Sequence, residues 1–89
     1  MITRNITVRC QSGLHNKQAI YFVQKANEFE SDIWVEYENK RLNAKSMMGI
    51  MYMGLVTGSE PTILAEGPDA DQAVDALEAL VQHDIIDMM

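Results

Sequence analysis

Between Ile2 and Val8 polar and apolar residues alternate. Ile2, Ile6 and Val8 share one face, interrupted by Arg4, and Thr3, Asn5 and Thr7 take the other, as in a half-buried strand. Cys10 to Gly13 reads as a turn. From about Asn16 to Asn27 the period lengthens. Ala19, Phe22, Val23 and Ala26 recur at helical spacing, and Asn16 is suited to cap that helix. Ile33 to Tyr37 predicts a second strand, with Ile33, Val35 and Tyr37 on one face. Glu38-Asn39 can turn it tightly into a short return strand, Lys40 to Asn43. Ser46 is a favoured cap for the run MMGIMYMGL, which Gly54 can end. A further strand is expected at about Pro61 to Glu66, with the proline at its start or on an edge. After Gly67-Pro68, Asp69 and Gln72 have the spacing of a capping box. The helix they would open buries Ala70, Ala73, Val74, Leu77, Leu80 and Val81. The tail, Ile85 to Met89, is apolar without an evident structural task.

The order β-α-β-β-α-β-α suits an α+β fold, in which an antiparallel sheet of about four strands carries the helices on one face. The 89 residues are expected to form a single domain, 1–89, able to bury a modest core without staples. Composition is ordinary for a globular chain, at 47% hydrophobic and 22% charged. Cys10, alone, has no internal disulfide partner, which points to a reducing, cytoplasmic setting. MITRNITV lacks the basic-then-apolar build of a secretory leader, and no apolar run approaches the ~18 residues of a membrane span. A net charge of −6 argues against direct nucleic-acid binding. No grouping of His, Cys, Asp and Glu has metal-ligand spacing, so neither metal nor cofactor is expected.

The stretch SGLHNKQAI, Ser12 to Ile20, carries the candidate chemistry. His15 directly precedes a helix start, whose unpaired N–H groups carry about half a positive charge. That charge favours a neutral imidazole, which keeps its lone pair and can act as a nucleophile. An anion attached to the ring would meet the same donors, with Lys17 adding positive charge. The bland reading is a polar loop histidine. In the second helix, Met47, Met48, Ile50, Met51 and Met53 make the element apolar nearly all round. They are either filler for a small core or a partly exposed, adaptable docking surface. A third reading, a small-ligand α+β domain, requires a concave apolar pocket.

With these residues in view, the chain resembles the HPr family, the small phosphocarriers of the bacterial phosphoenolpyruvate:sugar phosphotransferase system. GLHNKQA, Gly13 to Ala19, is similar to the phosphorylation motif, usually GLH, a small or polar residue, then RPA. NAKSMMGIM, Asn43 to Met51, is similar to the motif around a regulatory serine in Gram-positive members. The resemblance implies the HPr-like open-faced β-sandwich, βαββαβα, with a four-stranded antiparallel sheet and three helices on one face. It implies that His15 accepts a phosphoryl group from phosphorylated enzyme I and passes it to IIA domains of sugar permeases. It further implies that Ser46 is phosphorylated by HPr kinase/phosphorylase, and that Ile20, Met47, Met48 and Met51 contact partners. A catabolite-control transcription factor is implied for the serine-phosphorylated form. Such a chain is a stoichiometric carrier, not a turnover enzyme. The alternative is a regulatory module switched at Ser46, but the catabolite-repression paralogue lacks the active histidine, and this chain keeps it. Two departures stand out. Lys17 replaces an arginine, losing the bidentate fork. Gln18 replaces a proline, restoring a donor and, on local grounds, loosening the first turn.

Overall fold

The computed structural model describes residues 1–11, 13 and 16–83, without the side chain of Asn16. Its elements are β1 (Ile2–Asn5), α1 (Asn16–Asn27), β2 (Asp32–Tyr37), β3 (Lys40–Asn43), α2 (Met47–Met53), β4 (Thr62–Glu66) and α3 (Ala70–Gln82). The strands form one antiparallel sheet in the order β1-β4-β2-β3. The three helices cover one face, giving the open-faced sandwich that the element order implied.

Burial follows the periods read from the sequence. Ile33 and Val35 of β2 and Ile63 and Ala65 of β4 point into the core. They meet Ala19, Phe22, Val23 and Ala26 of α1 and all six expected apolar residues of α3. Each large side chain so buried contributes about 1.5–3 kcal/mol. The other face is largely polar. There Thr3 of β1, Leu64 of β4, Trp34 of β2 and Asn43 of β3 align across the strands. Edge strand β3 carries Lys40 and Arg41, charges that discourage further strand pairing.

β1 is shorter than the alternation suggested. Its regular ladder stops at Asn5↔Thr62, although Ile6 and Val8 remain buried. The next partner is Pro61, whose carbonyl accepts from Ile6 N–H at 3.0 Å but which has no N–H to return. Arg4 faces the helices with Ile2 and Ile6. It reaches over the sheet edge to ion pairs with Asp75 and, at 3.1 Å, Glu78 on α3.

The local turn signals hold. Glu38 and Asn39 both have positive φ, 49° and 65°, as the tight β2–β3 hairpin requires. Gly54 ends α2 in the left-handed region at φ 62°. One cap differs from expectation and another falls outside the described residues. α1 starts at Asn16, whose side chain, and with it the cap expected there, lies outside them. The capping box at Asp69 and Gln72 is not formed, because the Asp69 carboxylate turns away from α3. It accepts from Glu30 N–H and Ser31 N–H, both at 3.0 Å, and from the Ser31 hydroxyl at 2.5 Å. Those bonds, the Ser31 hydroxyl first, hold its pKa below the ordinary aspartate value. The tertiary donors at the entry to β2 outcompete the helix's own N–H groups for this side chain.

Candidate functional site

His15 lies outside the described residues, as do Ser12, Leu14 and the tail 84–89. The structure defines the frame on either side of the histidine. Before it, Arg9 N–H and Cys10 N–H both donate to the Val81 carbonyl in the last turn of α3, at 2.8 and 3.1 Å. The Thr57 hydroxyl, after α2, shares its proton between the carbonyls of Cys10 (2.5 Å) and Gln11 (2.8 Å). Gly13 N–H closes the expected turn on the Cys10 carbonyl at 3.1 Å. Gly13 itself has φ +66° and packs against the chain after α2. A Cβ there would stand 2.5 Å from the Leu55 carbonyl oxygen.

After the histidine, Lys17 is exposed in the first turn of α1, available to an anion at that helix end. Gln18 carries a tertiary tie that the local argument did not include. It is only 2% exposed, and its Nε2 donates to the Leu80 carbonyl at 2.8 Å and the His83 carbonyl at 3.2 Å. The amide finds acceptors at the end of another helix, so replacing proline brings a tertiary bond along with the extra backbone donor.

Ser46 takes the predicted role. It is half-buried and extended (φ −104°, ψ 117°), and its Oγ accepts from Gly49 N–H at 3.2 Å. The chain leading to it is braced by α1. Asn27 Nδ2 donates to the Val23 and Lys45 carbonyls, at 2.8 and 3.2 Å, and Lys45 Nζ to the Phe29 carbonyl at 2.8 Å. Phosphorylation of Ser46 would put charge at a helix start, where it is tolerated.

The methionines divide. Ile50 and Met53 are buried, and Met47 is half-buried, packed in part against the core. Met48 is 84% exposed and Met51 54%, and Ile20 on the adjoining α1 is 42% exposed. Tyr52, 70% exposed, and Val56 add apolar surface that the sequence did not single out. The Lys40 ammonium stands 5.1 Å from the Tyr52 ring centre, a cation–π distance. The concave apolar pocket of the third reading has no counterpart beside the β2–β3 hairpin. The groove of about 550 Å³ there is lined by Glu36, Glu38, Glu60 and Arg41 among others.

Gln18 and Thr57 escaped the sequence reading as functional supports. A signal for Gln18 was present, since position 18 lies four residues before Phe22 and so on the buried stripe of α1. Thr57 offered none, because its acceptors are 46 and 47 residues away. Among the described residues no group of three or more His, Cys, Asp or Glu could hold a metal ion, and no helix is long and apolar enough to cross a membrane.

Comparison with known proteins bears on this frame. The family described as "PTS HPr component phosphorylation site" matches residues 2–83. The HPr-like protein Crh of Bacillus subtilis is 41% identical over 85 residues, covering 96% of this chain and 100% of the relative. The phosphocarrier protein HPr of Vibrio cholerae is 40% identical over 83 residues, covering 93% and 98%. The crystal structure of HPr from Bacillus anthracis superimposes with a TM-score of 0.89 at 46% identity, covering 91% of this chain and 96% of that one.

Proposed function

The chain belongs to the HPr family of phosphotransferase-system phosphocarriers, and we propose that it accepts a phosphoryl group on His15 from phosphorylated enzyme I and hands it to IIA domains of sugar permeases. The observation that carries this reading is the frame around position 15. A glycine turn held against the chain after α2 stands just before position 15, and α1 with exposed Lys17 begins just after it. An imidazole placed there would meet the positive end of the α1 dipole, which disfavours its protonation and would leave its lone pair to attack phosphorus. As the new N–P bond forms, the bond to the donor breaks. The transferred group keeps its negative charge against the α1 donors and Lys17. Lysine supplies charge without the two parallel bonds of arginine, which makes the group easier to release as well as harder to hold. Nothing in this scheme turns over, and the carrier leaves each cycle as it entered.

Ile20, Met48 and Met51, with half-buried Met47 beneath them, are proposed to form the surface met by enzyme I and the IIA domains. The test is loading with phosphoenolpyruvate and enzyme I. One acid-labile phosphate is expected per chain, and none on His15→Ala. Absence of label on the wild type, or its persistence in His15→Ala, refutes the role.

A second role for the same chain is regulation at Ser46. It is supported by exposed Met48 in the first turn after this cap and Met51 in the next, and by relatives of the Crh type. HPr kinase/phosphorylase with ATP is proposed to phosphorylate Ser46. The added charge beside Met48 would weaken an acidic partner and create a contact for a catabolite-control transcription factor. Unmodified Ser46 after such treatment would exclude this route. The reducing, cytoplasmic setting expected from Cys10 suits both roles.

A further inference from the structure

We infer that Gln18 is a positioning residue for phosphoryl transfer, pinning the downstream end of the acceptor loop to the same helix turn that the backbone of Arg9 and Cys10 grips at its upstream end. The inference rests on the carrier reading above.

The platform is the C-terminal turn of α3. A helix end leaves its last four carbonyls without intrahelical partners. Among the described residues α3 has no local device to satisfy them. Its capping residue, His83, is extended at φ −134° and ψ 154°, and its last turn has no basic residue. The donors arrive from the other end of the chain. Val81 takes the N–H groups of Arg9 and Cys10, and Leu80 and His83 take the two protons of the Gln18 amide. The first anchor lies before the loop that bears His15 and the second just after it. The chain on either side of that loop is thus clamped to one element, with Thr57 also holding Cys10 and Gln11.

Proline, the residue usual at this place in the family motif, fixes its own φ but has no side-chain donor. This chain therefore replaces a local constraint with a long-range one. The residues involved are 62 and 65 apart in sequence. Gln18 is buried at the platform and so touches no phosphate. Its influence runs through loop geometry, to which transfer between aligned groups is steeply sensitive, with a 1 Å misplacement able to slow a reaction about a hundredfold. Of the proposed docking residues, Met48 and Met51 lie on α2, outside the clamp, and Ile20 lies on α1 beyond it, exposed and held by the helix itself, so partner affinity should be spared.

The experiment compares wild type with Gln18→Met, which keeps length and removes both donors. Gln18→Asn serves as a second variant, keeping the amide but too short to reach Leu80. Val74→Ala, in the buried stripe of α3 away from the clamp, controls for lost stability. Each is assayed as the acceptor substrate of phosphorylated enzyme I, with melting followed by circular dichroism. The expected result is a kcat about ten- to a hundredfold lower for both Gln18 variants, with KM unchanged, while Val74→Ala keeps wild-type kcat. The inference is overturned if the Gln18 variants keep kcat, if only KM rises, or if Val74→Ala loses as much. Failure of the carrier reading looks different, since the wild type itself would then take no phosphate.

Discussion

Replacing Gly13 with alanine separates two costs that usually arrive together. Gly13 and Gly54 have nearly the same φ, +66° and +62°, so a Cβ meets a similar left-handed penalty at each, about 1–2 kcal/mol. Their surroundings differ. At Gly54 a Cβ would have nothing within 4 Å, whereas at Gly13 it would lie 2.5 Å from the Leu55 carbonyl oxygen and 2.7 Å from the Val56 Cα. Both obstacles are backbone and cannot rotate aside. Relieving such a contact by shifting the chain costs about 1–3 kcal/mol, on the scale of an overpacked core. The gain from stiffening the unfolded chain, about 0.4–1 kcal/mol, applies to both variants and cancels in the comparison. Gly13→Ala should therefore be less stable than Gly54→Ala by about 1–3 kcal/mol. For a chain of this size each kcal/mol lowers Tm by about 4–8 °C, so the two melts should differ by at least ~4 °C. Reversible thermal unfolding, with urea titration as a check on the slope, measures it. Equal melting of the two variants would mean that the loop does not press on the chain after α2, and the frame drawn around the acceptor would fall with it.

Three further outcomes test other parts of the structure. Ser46→Ala should lose about 1 kcal/mol in urea unfolding through the missing bond to Gly49 N–H, while Ser46→Asp, itself a good cap, should lose much less; equal losses would contradict the capping geometry. Asp69 is held below the ordinary aspartate pKa chiefly by the Ser31 hydroxyl and then by Glu30 N–H. Its stabilising contribution is therefore complete above the unfolded carboxylate's pKa and lost as pH falls through the lowered folded value. The stability gap between wild type and Asp69→Asn should be open at neutral pH and close in strong acid, and urea midpoints that keep the same gap throughout would refute the assignment. Met48→Asp should change stability by no more than about 0.5 kcal/mol yet weaken enzyme I binding in calorimetry, whereas Met53→Ala should cost about 2–5 kcal/mol with binding retained. The reverse pattern would misassign the two faces of α2.

The sequence by itself determined the elements, because their signals are local. A period of two or of 3.6, a serine before a helix, a glycine after it and Glu38-Asn39 between strands act on neighbouring backbone, and neighbours are what a sequence displays. The whole buried face of α3 and the caps of α2 followed from such signals. The motif about His15 likewise pointed to the family, whose model matches residues 2–83. Only the tertiary structure decided where polar side chains find partners. Asp69 could bond its own helix or the turn before β2, and the turn had three donors waiting. Gln18 read locally as a change within one helix turn, and the end of α3 supplied its side chain with two carbonyls far away in sequence. Met47 and Met48 are identical neighbours, yet one packs on the core and the other faces solvent, because a seven-residue helix lying on a sheet covers only one of its sides. A hydrogen-bonding side chain is satisfied by whichever group the fold brings within 3 Å, and that depends on every other element being in place.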